Sequence, residues 1–244
     1  MQDSYSKIFS EKQKVMFVFA HPDDAEIYCG GLVARLVEDG KAVKLVKMTT
    51  GNKGSRQENI SEEELANTRE NEDSEALKAL GLKDTDSTNL NLGDGEIKNN
   101  LDTIGKLVAE IRQFKPDLIV THNPDQTMIR DLEGAYYVNH RDHRNTACCA
   151  VDAAYPYSRD TLFYPEQLKA GLTPHTTTEF MFVDSWGHQD TIYIEITNQS
   201  DKRTRAIACH KSQYPADKAQ DSTDYFSPEL EGKRFEQFWY VVAD

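Results

Sequence analysis

Residues 16–31 read MFVFAHPDDAEIYCGG, an apolar run that passes directly into a histidine, a proline and two aspartates. A second polar cluster, His140-Arg-Asp-His143, follows the segment IVTHNPD by a short stretch. Two imidazoles, one carboxylate and an open position form the donor set of a catalytic zinc site, whereas a structural zinc is normally closed by four protein ligands. The spacing suits His21, Asp24 and His143 as metal ligands. It leaves Asp23 free to face an attacking water as general base, because a metal ion brings the acidity of water toward neutrality and a nearby carboxylate can then collect the proton. His140 lies one helical turn before His143 and can stand over a substrate carbonyl. In its protonated form it would stabilise an oxyanion or protonate a leaving amine, with Asp142 a candidate to orient it. Taken separately, His-Pro-Asp reads as a turn with a helix cap and His-x-x-His as a surface feature. Their joint occurrence favours a site.

The elements that must position these residues follow a βαβ rhythm. Apolar runs of strand length occur at 15–20, 43–48 and 118–121, separated by longer periodic segments. Asp23 or Asp24 can cap a helix running to about Glu38 and ended by Gly40, and Ser61 with Glu64 forms a capping box for a helix that ends near Gly81. Further helices are expected over 101–114 and from near His140 through ACCAVDAA. Strands apolar on both faces imply a three-layer, mostly parallel sheet with helices on both sides, Rossmann-like in form. In such a sheet ligands bind at the carboxyl ends of the strands, where both polar clusters fall. Residues 155–190 break the pattern and read as an irregular substrate-side segment. Beyond them TIYIEIT, 191–197, alternates as a strand and 201–211 looks helical. The economical reading is one α/β domain over 1–244, with a polar extension at 1–13 and an elaborated C-terminal third.

Composition narrows the function classes. A formal net charge of −13 argues against nucleic acid, whose affinity draws on Lys and Arg neutralising phosphates. The acidic stretch 58–75 reads as a solvated helix face. Four cysteines without a CxxC pair suggest neither a zinc ribbon nor a disulfide scaffold. The polar start, without an apolar signal core, and the absence of a membrane-spanning apolar run lead to a cytoplasmic expectation. The first βα joint lacks GxGxxG, and two acids there would repel a pyrophosphate, which disfavours a dinucleotide cofactor. Gly30-Gly31 falls inside the expected helix and reads as permission for close helix-to-strand packing.

In order along the chain, AHPDD with Gly-Gly, TRENEDSEALKALG, LGDGE, KPDLIVTHNPD, HRDHRNT and CHKSQ resemble the PIG-L/LmbE-like zinc-dependent N-acetylglucosamine deacetylases. The resemblance covers 15–151 well and 192–213 more loosely. It implies one catalytic Zn2+, with another divalent ion such as Fe2+ also compatible, held by His21, Asp24 and His143. It also implies Asp23 as base and His140 as the acid on the oxyanion side. Arg69 and Asp94 match positions associated with sugar binding. Arg69 alternatively pairs with Glu72 or Asp73, and Asp94-Gly95 is also a turn. His122 and His210 read as a strand-end hydrogen bond and a helix-end residue. Two departures stand out: Ala25 then Glu26 where the family often has Glu directly, and H-R-D-H for H-P-D-H. The second places the cation of Arg141 beside the site, either toward a polar or anionic part of the substrate or toward solvent.

The expected reaction is hydrolysis of the acetamide of an N-acetylglucosamine-type small molecule to acetate and a free amine. An amidase for a larger acyl group and a non-catalytic, metal-stabilised sugar-binding domain are the alternatives, the latter having no need of a base at Asp23. The expected partner is a small N-acetylated sugar or glycoconjugate, and a homo-oligomer is compatible with the sequence.

Overall fold

The computed structural model describes residues 1–131 and 133–243. Its strands are β1 (Lys14–Phe19), β2 (Ala42–Thr49), β3 (Ser87–Leu92), β4 (Leu118–Thr121), β5 (Met128–Arg130), β6 (Tyr136–Val138), β7 (Glu179–Phe182), β8 (Thr191–Glu195), β9 (Glu229–Leu230) and β10 (Lys233–Val242). Its α-helices are α1 (Tyr5–Phe9), α2 (Asp24–Glu38), α3 (Glu62–Leu80), α4 (Leu101–Phe114), α5 (Arg141–Asp152), α6 (Pro165–Lys169), α7 (Ser200–Ile207) and α8 (Ala219–Phe226). The main sheet has the order β3-β2-β1-β4-β7-β10-β8, with β9 against β10, while β5 and β6 form a separate hairpin. From β3 through β7 all neighbours are parallel, and β10 is antiparallel to both β7 and β8. This is the expected mostly parallel sheet.

The two-residue period of the strands explains the layers. On β1, Val15, Phe17 and Phe19 point into a core shared with α1, α2, α3 and α7, whereas Met16 and Val18 point into a second core with α4 and α5. Strand β4 divides in the same way: Leu118 and Val120 join the first core and Ile119 the second. A strand buried on both faces must be largely apolar, as β1 is from Val15 onward and β4 is up to Val120.

Helix ends follow local chemistry. The Ser61–Glu64 capping box forms at the start of α3, and Gly81 closes it at φ 89°. Asn100 caps α4 by accepting the Thr103 N–H. Strands β1, β2 and β4 and helices α2, α3 and α4 therefore match their sequence readings closely, whereas β3 was not anticipated.

Three expectations need correction. The segment 1–13 is not merely a polar extension, because Tyr5, Ile8 and Phe9 recur at helical spacing and are buried in α1. Residues 155–190 contain α6 and the central strand β7. Helix α7 ends at Ile207, short of the expected 211. Among the described residues no helix is long and apolar enough to cross a membrane.

Candidate active site

The chain builds outward from β1 through β2 to β3, then returns to the opposite side of β1 with β4. The crevice between the carboxyl ends of β1 and β4 is therefore the topological switch point, where α/β sheets bind ligands. His21 follows β1 and His122 follows β4. His140 caps the start of α5 and His143 lies in its first turn. The HPDD turn folds back on itself: the His21 backbone N–H donates to Asp24 Oδ2 at 2.7 Å, which points the Asp24 carboxylate toward the His21 ring.

Asp24 is the hub of the cluster. Its Oδ2 lies 3.4 Å from His21 Nδ1 and its Oδ1 lies 3.3 Å from His143 Nε2. Donors about 2.0–2.1 Å from a tetrahedral zinc lie about 3.3 Å from one another, the size of each of these two separations, although they involve different Asp24 oxygens. Ring nitrogens of His21, His140 and His143 also converge within 4.8 Å, as do the donors of Asp24, His122 and His143. The donor chemistry thus fits a divalent metal. Burial would raise the Asp24 carboxyl, but His143 and His122 outweigh it and hold Asp24 well below the usual carboxylate range. His21 is pushed down by burial and up, more strongly, by hydrogen bonds to Asp142, Asp24 and Asp94, ending well above an ordinary imidazole.

His122 is closer to this chemistry than its sequence reading implied. Its Nε2 accepts the Ala20 N–H at 3.2 Å, the expected strand-end bond, but also lies 3.3 Å from Asp24 Oδ2. The ring stacks on His143 with centroids 3.9 Å apart, and its Nδ1 has no partner among the described residues. Burial and His143 push its pKa down to about 3, which keeps it neutral. It supports the His143 ring.

Asp23 stands apart from the hub, at a φ of 107° that is strained for any residue but glycine. Arg69, from α3, approaches its Oδ1 at 3.2 Å, donates to Gly51 O at 3.1 Å and also donates to Pro22 O. Burial raises the Asp23 carboxyl, Arg69 lowers it, and the balance places it at about 6. A carboxylate near this value both ionises at neutral pH and holds a proton well enough to pass it on. Neither expected alternative partner of Arg69 is used: Glu72 receives Ser212, and Asp73 pairs with Lys47.

The geometry around His140 differs from the sequence expectation. The Asp142 carboxylate accepts the Gly95 N–H at 2.6 Å and lies 3.7 Å from His21 Nε2, and it forms no bond to His140. The Asp142 backbone N–H instead donates to His140 Nδ1 at 3.2 Å. Since Nδ1 accepts, the neutral ring carries its proton on Nε2 and remains a donor. Burial, His143 and His21 lower the His140 pKa, and Asp142 does not restore it. The expected orienting of His140 by the Asp142 carboxylate is therefore not seen, and two imidazole neighbours and burial outweigh one carboxylate occupied elsewhere.

A cavity of about 420 Å³ opens over these groups, lined by His21, Asp23, Asp24, Arg69, Asp94, His140 and His143. Asp94 Oδ2 accepts the Lys53 N–H at 2.8 Å and its Oδ1 faces His21 Nε2 at 3.3 Å. Burial raises Asp94, but His21 and the Lys53 amide bring it down to about 2. Arg141 is not in the lining; its side chain is half exposed and donates to Gly95 O at 2.7 Å. Residues 155–190 do not line the cavity either. Its outer wall comes from Lys53, Gln213, Tyr214 and Phe226. The CHKSQ segment reaches it because the Ser212 backbone and hydroxyl both donate to Glu72 on α3, which fixes Gln213 and Tyr214 at the rim. Nothing in the spacing around Phe226 marked it beforehand.

Beneath the cavity, His210 Nε2 lies 3.6 Å from Glu26 Oε2, both fully buried. Burial pushes His210 down, but Glu26 and the acids around it carry it above an ordinary imidazole. Asp73 completes this second cluster, and the Lys47 ammonium paired with Asp73 supplies its cation.

The family profile described as PIG-L: GlcNAc-PI de-N-acetylase matches residues 16–154. A diacetylchitobiose deacetylase of Thermococcus kodakarensis is 27% identical over 209 residues, covering 86% of this chain and 73% of that protein. The 1D-myo-inositol 2-acetamido-2-deoxy-alpha-D-glucopyranoside deacetylase of Streptomyces avermitilis is 30% identical over 180 residues, 63% of this chain. The match spans only 56% of that protein's length. Among solved structures, the N,N'-diacetylchitobiose deacetylase from Pyrococcus horikoshii superposes with a TM-score of 0.82 at 26% identity, over 96% of this chain and 85% of that one.

Proposed function

The chain belongs to the PIG-L family of GlcNAc-PI de-N-acetylases, and on that premise we propose that it hydrolyses the acetamide of an N-acetylglucosamine-type substrate in the crevice at β1 and β4. The observation that carries this reading is the division of labour between adjacent aspartates. Asp24 faces His21, His122 and His143, while Asp23 is turned away and held 3.2 Å from Arg69. A binding module has no use for the second carboxylate.

His21, Asp24 and His143 would hold one divalent cation, zinc by donor type and with Fe2+ compatible. When bound, that ion would polarise the amide carbonyl and acidify water. Asp23 takes the proton of the attacking water as the new C–O bond forms. His140, neutral and bearing its proton on Nε2, donates to the oxygen on which charge develops. As the C–N bond breaks, Asp23 returns its proton to the departing nitrogen, giving acetate and a free amine. Arg69 keeps the base ionised and in place, so its role is exercised through Asp23. Asp94 serves as acceptor for a sugar hydroxyl, and Tyr214 and Phe226 provide the apolar wall for a ring face.

The test is a panel of N-acetylglucosamine, diacetylchitobiose and an N-acetylglucosaminyl inositol, incubated with metal-loaded protein and assayed for acetate and primary amine together. Equal release of both from at least one member is expected. Release from none would overturn the reading.

A further inference from the structure

Helix α2 is two helical segments joined at a break, since Cys29 leaves the helical region at φ −152° and ψ 25°. A break inside a helix frees backbone groups that must find partners when buried. Here two charged side chains supply them. Arg203, on α7, donates from Nε to Glu26 O at 3.2 Å and from its guanidinium to Ile27 O. Glu236, on β10, accepts the N–H groups of Gly31 and Leu32, each at 2.8 Å. The two side chains lie 3.6 Å apart and both are wholly buried.

The adjacent glycines make room for this insertion. A Cβ on Gly31 would sit 2.6 Å from Ile196 Cβ and 2.9 Å from Glu236 Oε1, and one on Gly30 would sit 3.1 Å from Arg203 Cγ. The Gly-Gly pair therefore serves less for contact with a strand than for access of an ion pair to a broken helix.

An unbroken helix would satisfy the same backbone groups without burying two charges, which is costly unless they are paired and bonded. A fold that keeps the costlier arrangement keeps a geometry that a straight helix would not give. The segment before the break begins at Asp24 and follows directly on Asp23. We propose that Arg203 and Glu236 are positioning residues: the ion pair inserted at the α2 break sets the direction of the Asp24–Tyr28 segment and so the placement of the Asp24 carboxylate against His21 and His143. This rests on Asp24 acting as a metal ligand.

The test uses the full chain. Zinc affinity of the metal-stripped protein is measured by competition with a chromophoric chelator, for wild type, Glu236→Gln, Arg203→Lys and, as a stability control on the other face of the sheet, Leu107→Ala. Groups that orient metal ligands typically contribute roughly 10–100-fold to affinity, and a weakening of that size is expected for Glu236→Gln and Arg203→Lys. Turnover should fall with metal supplied at saturation, while KM for the sugar stays put. Leu107→Ala should lower the melting temperature and leave zinc affinity alone. Wild-type zinc affinity in a folded Glu236→Gln protein would overturn the inference. Should the variants not fold, hydrogen exchange on the wild type decides: zinc should slow exchange of the Gly31 and Leu32 amides, and unchanged rates there would overturn it. A wild type that binds no zinc would instead remove the reading of Asp24 and this inference with it.

Discussion

Replacing Arg69 by methionine removes the cation that touches Asp23 and should move the acid limb of the pH profile upward. Asp23 sits at about 6 because burial raises it and Arg69 lowers it. At the 3.2 Å separation of Arg69 and Asp23, the Coulomb attraction at an effective dielectric of about 20 is roughly 5 kcal/mol. An arginine beside an aspartate typically lowers its pKa by about 1–3 units, or roughly 1.4–4 kcal/mol, which sits within that bound. Without Arg69 the ionised form loses this support, so the sign is upward. With a shift of about two units the base is ionised to about nine parts in ten at pH 7 in the wild type and about one part in ten in the variant. The assay is kcat/KM against pH for acetate release, on Arg69→Met and on Arg69→Lys, which retains the charge. About tenfold loss at pH 7, largely recovered by pH 9, is expected for methionine, with lysine close to wild type. A bound cation moves all three profiles together, so the displacement between proteins is the observable. A uniform loss at every pH, carried by KM, would refute the reasoning and make Arg69 a direct sugar contact.

Asp23→Asn should retain the metal and lose turnover by about 10²–10⁴-fold; asparagine matches aspartate in shape and adds no backbone demand at the φ of 107° that Asp23 already adopts, so metal content measured by atomic absorption separates chemistry from misfolding. His143→Ala should lose the metal itself, with an unchanged far-ultraviolet circular dichroism spectrum because both cores lie beneath the site. His140→Ala should lower kcat by about 10²–10³-fold, the usual effect of removing one oxyanion donor. Because the ring acts as a neutral donor, the basic limb of the profile should survive that substitution; its disappearance would restore an imidazolium acid. Phe226→Ala should raise KM for the sugar more than it lowers kcat, and an effect confined to kcat would remove this ring from the binding wall.

The parallel half of the fold was legible because its signals are local. Strand β4 was placed at its observed ends, since three apolar residues and a threonine stand between Asp117 and His122, and the caps at Ser61 and Gly81 each act within one turn. The C-terminal third was opaque for a different reason. Strand β7 has only four residues. Strand β10 interrupts its apolar pattern with the buried Glu236, whose partners lie on α2, 205 residues away. Such a residue looks like a surface charge until the tertiary structure supplies its bonds. In the site, Asp24 stands beside both His21 and His143 while Asp23 faces Arg69, because one turn and one helix end determine most of their placement. His122 could have been found by the reasoning that singled out His21, since both end neighbouring parallel strands. The partner of the Asp142 carboxylate, the exclusion of Arg141 from the cavity and the arrival of Tyr214 and Phe226 depend on how distant elements dock, which no local spacing encodes.

The central claim is that one divalent ion in the β1–β4 crevice makes this chain an amide hydrolase. The most direct measurement is a titration of zinc into chelator-stripped wild-type protein, with acetate release from diacetylchitobiose, or from whichever N-acetylated sugar proves active, followed at each addition. Activity should start near zero, rise in proportion to added zinc and level off at one equivalent per chain. Full activity in the stripped protein, or no acetate at any zinc level from any member of the substrate panel, would contradict it.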